Sequence, residues 1–232
     1  MIRLAALAAL ALAASTPALA APFRACVVPP NAQPAPAVPT PRNEVVRDEP
    51  VAAYMLALTW SPEWCRTRSK DPDERFQCRS NHLGFIVHGL WPNGAGKRHP
   101  RYCGPAPALS TATLRANLCM TPSAELLQHE WAAHGTCGWS APEPYFAKAQ
   151  ALWRDIKVPA LDFPAGKAVT AGDVRQAFVA RNPGLRRDGI YIKVVEGNRL
   201  MDLRVCYDLQ FKLAACRGGV GAPDHARIRI TH

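Results

Sequence analysis

The segment from His129 to Cys137 places two imidazoles and one carboxylate within about two and a half helical turns. Thr121, a capping residue followed by proline, predicts the start of a helix, and Gly135 stands where that helix would end. His134 is therefore predicted in the last helical turn, where the negative end of the helix dipole favours an imidazolium. Glu130 lies on the same face at i and i+4 and adds to that preference. These groups could exchange protons with a substrate.

A zinc-binding helix is the main alternative for this segment, because it opens with His-Glu and closes with a second histidine. Metalloprotease helices carry their histidines at i and i+4, about 40° apart around the axis. His129 and His134 are at i and i+5, which separates them by about 140° on an ideal helix. One metal ion is then hard to reach from both rings, so no metal is expected here.

A more distant histidine, His88, follows strand-forming residues and precedes residues 89–93, which are predicted to form a loop. Strand ends that open into loops often carry catalytic groups. If the fold brings His88 and His134 to opposite sides of one phosphate, one imidazole can remove a proton while the other donates one. RNA suits such a pair because its 2′-hydroxyl is a nucleophile that DNA lacks. His129 is a candidate phosphate ligand beside the pair.

The elements that must position these groups are predicted from periodicity, capping signals and turn residues. The sequence predicts strands at 51–60, 83–88, 190–195 and 200–211, and helices at 122–134, 142–156 and 171–181. A turn at Gly197-Asn198 is expected to join the last two strands into a hairpin, the helix at 142–156 carries an apolar stripe, and Thr170 and Asp173 resemble a capping box at the start of the helix at 171–181. No internal repeat is visible. This mixture predicts an α+β fold in which helices pack against a central antiparallel β-sheet.

Residues 1–20 have the composition of a secretory signal peptide, with one charge at Arg3, an apolar run and a cleavage site that ends at Ala20. The apolar run is too short to span a bilayer, and no later stretch reaches about 18 consecutive apolar residues, so no membrane association is expected. Export to the periplasm or the medium favours disulfides over metal sites as the role of the eight cysteines.

The chain is strongly basic. Arg3 is the only charged residue of the predicted signal peptide, so its removal lowers the formal net charge from +10 to +9. An excess of this size favours an anionic partner, although charge alone does not separate nucleic acid from a membrane surface or an acidic polysaccharide.

Residues 21–50 are rich in proline and alanine and hold almost no large apolar side chain. They are predicted to form an extended, poorly ordered linker or arm, which Cys26 could tether. Residues 51–232 are enough for one domain with a substantial core.

Two segments resemble the active-site segments of the ribonuclease T2 family of secreted endoribonucleases: Phe85-Ile86-Val87-His88-Gly89-Leu90-Trp91-Pro92 and His129-Glu130-Trp131-Ala132-Ala133-His134-Gly135-Thr136-Cys137. The resemblance extends over roughly residues 51–216 and includes Asn182-Pro183-Gly184 and the strand that carries Cys206. Two such segments in this order are a specific signal. The resemblance implies an α+β fold and metal-independent cleavage of RNA through a 2′,3′-cyclic phosphate.

Carried over residue by residue, the resemblance implies that His134 is the general base and His88 the general acid. Glu130 and His129 would assist at the phosphate. The implied partner is single-stranded RNA, with no cofactor and no obligate protein partner, and the chain is expected to act as a monomer.

The resemblance also implies that Trp91 stacks on a base and that Asn93 reads a base edge, although packing in the core is an equal alternative for Trp91. It implies a disulfide between Cys103 and Cys137. The pairs that the loops themselves suggest agree with the family, and elimination leaves one more: Cys65–Cys78, Cys206–Cys216 and Cys26–Cys119.

One position departs from the family pattern. The family usually has a lysine directly before the second catalytic histidine, and this chain has Ala133. That lysine is thought to neutralise charge on the phosphate, and loss of one such donor typically lowers a rate by about 10²- to 10³-fold. Lys97, Arg98 or another cation could compensate. The alternative function is therefore a cationic RNA-binding or inhibitory protein with the same fold and little or no catalysis.

Overall fold

The computed structural model of the chain describes residues 26–81, 83–164 and 166–232, so the predicted signal peptide at 1–20 lies outside the described residues. The helices and strands are, in chain order, β1 (Ala53–Trp60), α1 (Ser61–Cys65), β2 (Phe85–Asn93), α2 (Thr111–Asn117), α3 (Ala124–Ala133), α4 (Pro142–Asp155), α5 (Ala171–Arg181), β3 (Ile190–Val195) and β4 (Arg199–Tyr207). Single turns of 3-10 helix lie at Arg42–Glu44, Gly135–Cys137, Arg187–Gly189 and Glu196–Asn198, and a π-helical turn at Phe76–Ser80.

The four strands form one antiparallel sheet in the order β2-β1-β4-β3. Side chains of α3, α4 and α5, among them Trp131, Tyr145 and Phe178, are buried against the sheet in one hydrophobic cluster. The predicted α+β fold with a central antiparallel sheet is therefore confirmed. Among the described residues, no helix has the length and the apolar composition that crossing a membrane would require.

The two faces of the sheet differ in chemistry. Alternation along β1 sends Leu56 and Leu58 into the core, where both are fully buried. The residues that alternate with them face the opposite side, where Thr59 lies directly across from Asp202 and Ala57 from Arg204. One face of the sheet is thus a packed core, and the other carries polar groups that a ligand could reach.

Helix α3 begins and ends at residues other than those predicted. Ser123, rather than Thr121, is the capping residue, and its hydroxyl accepts a hydrogen bond of 3.1 Å from the backbone N–H of Leu126. Thr121 instead donates to the carbonyl of Val87 at 2.7 Å, which joins the start of the helix to β2. At the other end the helix stops at Ala133, one residue earlier than predicted.

Two helical predictions are confirmed. The apolar stripe of α4 is buried throughout: Tyr145, Phe146, Ala149, Leu152, Trp153 and Ile156. Helix α5 begins with the predicted capping box, in which Thr170 and Asp173 exchange side-chain and backbone hydrogen bonds.

Four disulfides close the loops around the sheet: Cys26–Cys119, Cys65–Cys78, Cys103–Cys137 and Cys206–Cys216. They are the same four pairs that the sequence analysis expects. Cys103–Cys137 joins the loop after β2 to the turn that follows α3.

The proline-rich segment contacts the rest of the domain over its described part, residues 26–50. It runs along the domain as an arm: Pro29 accepts a hydrogen bond from Arg115 at 2.8 Å, and Val46 forms an antiparallel bridge with Arg101. The sequence correctly suggested an extended chain without large apolar residues. One disulfide, backbone hydrogen bonds and ion pairs attach this arm to the domain, and none of these needs a large apolar side chain.

Candidate active site

Glu130 stands between the two predicted catalytic imidazoles. Its Oε1 lies 3.4 Å from Nε2 of His88, and its Oε2 lies 4.0 Å from Nε2 of His134. The carboxyl side chain is only 2% exposed, whereas the His88 side chain is 31% exposed. The fold therefore brings together three groups that belong to β2 and to the end of α3.

A β-bulge points His88 toward Glu130. In the ladder between β1 and β2, Leu58 pairs with Val87 and Ala57 pairs with Gly89, so His88 is an extra residue without a partner on β1. The predicted loop at 89–93 is part of β2, and His88 lies in mid-strand rather than at a strand end. The extra residue also puts Trp91 on the same face as His88, with ring centroids 5.3 Å apart, although regular alternation would separate them.

Gly89 lets α3 approach β2 closely. A Cβ atom at this position would overlap Oε2 of Glu130 and lie 2.9 Å from Nε1 of Trp91. Only a residue without a side chain leaves room for the carboxyl group here.

Thr59 and Asp202 hold the other side of the His88 ring. The Thr59 hydroxyl lies 3.2 Å from Nδ1 of His88 and donates to Oδ1 of Asp202 at 3.0 Å. Asp202 also accepts from Arg204 at 3.1 Å, so it serves as an acceptor and the hydroxyl hydrogen is committed to it. The hydroxyl oxygen must then accept from Nδ1–H. In neutral His88 this leaves Nε2 without a proton, facing Glu130.

Helix α3 ends just before His134, whose φ of −123° and ψ of −47° are not helical. The predicted separation of 140° therefore does not hold, because it assumed an ideal helix through residue 134. One donor atom each from His129, Glu130 and His134 lies within 4.8 Å of the others. Zinc ligands lie about 2.0–2.2 Å from the ion and so at most about 4.4 Å from each other. Donor atoms that are a full 4.8 Å apart would have to move closer together to bind zinc. A chelator tests directly whether activity depends on a metal ion.

Trp91 orients the carboxyl group of Glu130 through a hydrogen bond. Its indole N–H donates to Oε2 of Glu130 at 2.8 Å, and the guanidinium of Arg204 lies over the indole ring at 4.6 Å. This contact with Glu130 was not predicted from the sequence. Base stacking by Trp91 and base reading by Asn93, which is 7% exposed and lines the same cavity, stay predictions.

Burial sets the protonation of the three groups. Desolvation raises the pKa of Glu130 to about 8, and it lowers the pKa of His88 to about 4. Desolvation also holds the pKa of His134 well below its usual value, and the positive charge of Arg101 lowers it further. From the helix dipole, the sequence analysis expected the imidazolium form of His134 to be favoured, that is, a raised pKa. It failed because the ring is buried and Glu130, its expected counter-charge, is itself neutral at neutral pH.

The three groups lie in a cavity of about 790 Å³ with a strongly basic lining. His129 is on its wall, and the hairpin of β3 and β4 and the C-terminal loop add Tyr191, Arg204 and Arg217. The sequence analysis missed these three; the alternation of β4, which puts Arg204 on the face of Asp202, is the signal that could have found one of them. The cavity thus combines cationic side chains with groups that can exchange protons, which suits a phosphate ester.

Comparison with known proteins finds similarity to one family and to ribonucleases. The model of the ribonuclease T2 family matches residues 51–163. A probable ribonuclease of Haemophilus influenzae is 34% identical over 180 residues, which cover 72% of this chain and 62% of that protein. Ribonuclease I of Escherichia coli is 29% identical over 168 residues, covering 54% of this chain and 63% of that protein. The chain thus spans less than two thirds of the length of these relatives.

Solved structures share the fold at low sequence identity. Trichomaglin, described as an S-like ribonuclease, has a TM-score of 0.63 at 20% identity and covers 77% of this chain and 97% of its own. An RNase-related protein from Calystegia sepium has a TM-score of 0.62 at 20% identity, covering 79% and 100%. A variant of RNase MC1 in complex with 5′-UMP has a TM-score of 0.55 at 17% identity, covering 72% and 93%.

Proposed function

Because the chain belongs to the ribonuclease T2 family, we propose that it is an endoribonuclease that cleaves single-stranded RNA without a metal ion. One observation carries the proposal: two imidazoles flank one buried carboxyl group in a basic cavity. RNA brings its own nucleophile, so two proton-transferring groups and a cation are sufficient for the chemistry. The complex of RNase MC1 with 5′-UMP supports a nucleotide ligand for this fold.

In the first step, His134 acts as the general base. Its lowered pKa leaves the imidazole neutral at neutral pH, ready to accept the proton of the 2′-hydroxyl. The 2′ oxygen then attacks phosphorus while the bond to the 5′ oxygen breaks, and the products are a 2′,3′-cyclic phosphate and a 5′-hydroxyl end. The new imidazolium lies 4.0 Å from Glu130, whose negative charge would stabilise it.

The general acid, His88, receives its proton from Glu130. Oε2 of Glu130 accepts from Trp91, so the proton of the neutral carboxyl group belongs on Oε1, which faces Nε2 of His88 at 3.4 Å. A negatively charged phosphodiester beside His88 favours the imidazolium. Substrate binding would therefore transfer this proton from Oε1 to Nε2, and His88 would pass it on to the departing 5′ oxygen. His129 would bind a phosphate oxygen.

The test is cleavage of a defined single-stranded RNA by the purified protein, with EDTA present, between about pH 4 and 8. We expect fragments that carry 2′,3′-cyclic phosphate and 5′-hydroxyl ends, because the 2′ oxygen is the nucleophile. The matched control is the same sequence as DNA, which should stay intact. Uncut RNA throughout this range would overturn the proposal and favour the RNA-binding alternative. Cleavage that EDTA abolishes would instead favour a metal bound by His129, Glu130 and His134.

We also propose that the protein is exported and matures by cleavage after Ala20. All the cysteines that the structure describes lie in disulfides, which persist in oxidising compartments, and this supports the proposal. We expect protein recovered from the periplasm or the medium of an expressing bacterium to begin at Ala21, as measured by mass spectrometry of the N-terminal peptide. Recovery of the uncleaved chain from the cytoplasm alone would contradict this.

A further inference from the structure

Position 133 has no room for the cation that the reaction needs. Ala133 is fully buried and packs in a small cluster with Ala132 and Tyr102, and its carbonyl accepts a 3.0 Å hydrogen bond from the backbone N–H of Tyr102. Helix α3 carries no basic side chain in its last turn. A phosphate at His88 and His134 must therefore be neutralised by a residue from another part of the fold.

We propose that Arg101 is this residue: its guanidinium binds the phosphate during cleavage and is a catalytic residue of the site. The inference rests on the proposed ribonuclease function. Arg101 lines the same cavity as His88, His129 and His134. It directly precedes Tyr102, so the residue that closes the space over Ala133 is adjacent in the chain to the residue that supplies the charge.

The arm holds Arg101 in place. Val46 and Arg101 exchange two backbone hydrogen bonds, of 3.0 and 2.9 Å, and Glu44 of the arm binds Nη2 of Arg101 at 2.9 Å. The ion pair with Glu44 is formed through Nη2. Nε is buried and has no hydrogen-bond partner among the described residues. The guanidinium is thus oriented but keeps donors for a ligand, as bidentate phosphate binding requires.

The charge of Arg101 already acts on the catalytic groups. It is the strongest charged influence on both His129 and His134, and it lowers the pKa of each. A cation that destabilises the protonated form of these rings would also stabilise negative charge on a phosphate beside them. Arg204, a second guanidinium of the cavity, also pairs with a carboxylate, Asp202, and also has an unpartnered Nε among the described residues, but its charge acts on His88 rather than on His129 and His134.

Arg98 offers a matched control. It lies on the same loop and pairs with Asp48 of the arm through two hydrogen bonds, of 2.8 and 3.2 Å, but it does not line the cavity. Both partners are largely exposed, so loss of this pair should change stability and activity little. R98A therefore removes an ion pair between loop and arm without touching the site.

The experiment measures kcat and KM for a dinucleotide with the wild-type protein and with R101A, R101Q, R101K and R98A. We expect R101A and R101Q to lower kcat by about 10²- to 10³-fold, because one preorganised charge is lost from the transition state. R101K should recover part of the activity, since it restores charge without the planar fork. Added methylguanidinium should restore activity to R101A, and inorganic phosphate should inhibit R101A more weakly than the wild type. R98A should match the wild type throughout.

R101Q keeps the aliphatic stem and a hydrogen-bond donor, so it remains informative if R101A fails to fold. A folded R101Q with the kcat and the phosphate inhibition of the wild type would overturn the role of Arg101 and leave the ribonuclease proposal standing. An inactive wild-type protein would overturn the ribonuclease proposal itself. If R98A loses as much activity as R101A, the arm acts through general attachment of the loop, and the specific role of Arg101 is wrong.

Discussion

Replacing His134 by alanine is expected to abolish RNA cleavage while leaving RNA binding largely intact. The variant loses the group that we assign as the acceptor of the 2′-hydroxyl proton, and general base catalysis typically contributes about 10²- to 10⁴-fold. Most of the basic lining of the cavity, which would attract the RNA backbone, remains in place. The measurements are the single-turnover cleavage rate and the affinity for an RNA of the same sequence with 2′-O-methyl groups, which cannot react.

His225 supplies the control for this experiment. It is exposed on the C-terminal segment and lies outside the cavity, so H225A should cleave RNA at the wild-type rate. A folded H134A protein that cleaves as fast as the wild type would refute the assignment of the base. If H134A binds RNA and acts on cells as well as the wild type does, the binding and inhibitory alternative gains support.

Replacing Glu130 by glutamine is expected to move the alkaline limb of the pH–rate profile to lower pH by several units. In the wild type, Glu130 stores the proton of the general acid up to about pH 8, the pKa of its carboxyl group. In E130Q only the ring of His88 can hold that proton, and its pKa is about 4. The rate at about pH 7.5 should therefore fall by about 10³-fold, whereas the loss should be much smaller near pH 4.

The same variant changes how stability depends on pH. A raised carboxyl pKa means that the folded protein binds one more proton than the unfolded chain between pH 4.5 and about 8, so the free energy of unfolding falls as pH rises through this window. The lowered pKa of His88 acts with the opposite sign, between about 4 and 6.5, so the contribution of Glu130 is isolated above pH 6.5.

Urea unfolding at pH 6.5 and pH 8 measures this difference. Wild-type protein should lose stability between the two values, and E130Q should lose less. Equal losses in both proteins, together with an unshifted alkaline limb, would show that Glu130 does not store the proton.

Local sequence signals were sufficient for the architecture. The buried stripe of α4, the capping box at Thr170 and the β3–β4 hairpin each depend on residues close together in the chain, and all were predicted. Two histidines and a carboxylate were also selected correctly as neighbours, because the two segments that carry them have distinctive spacing and a recognisable order. Their assigned roles still await experiment.

The features that the sequence analysis did not predict share one cause: contacts between residues far apart in the chain determine each of them. The bulge at His88 depends on how β1 and β2 pair, and no local pattern marks it. The sign of the His134 pKa shift depends on burial by distant elements. The attachment of the arm, which was not predicted in detail, depends on Arg101, Arg115 and Cys119, which lie more than fifty residues away in the chain. Periodicity, propensity and composition describe none of these contacts.

His88, the residue of β2 without a partner on β1, interrupts the strand pairing at the position where the site needs an imidazole. Deleting one residue there would restore an uninterrupted ladder with β1, and the sheet could gain stability from the continuous pairing. Deletion of His88 would remove the imidazole, and deletion of Gly89 would move His88 into the place opposite Ala57, where a Cβ atom would overlap Oε2 of Glu130. Variants with a more regular sheet should therefore be more stable but inactive. A single backbone irregularity thus couples the stability of the sheet to the activity of the site.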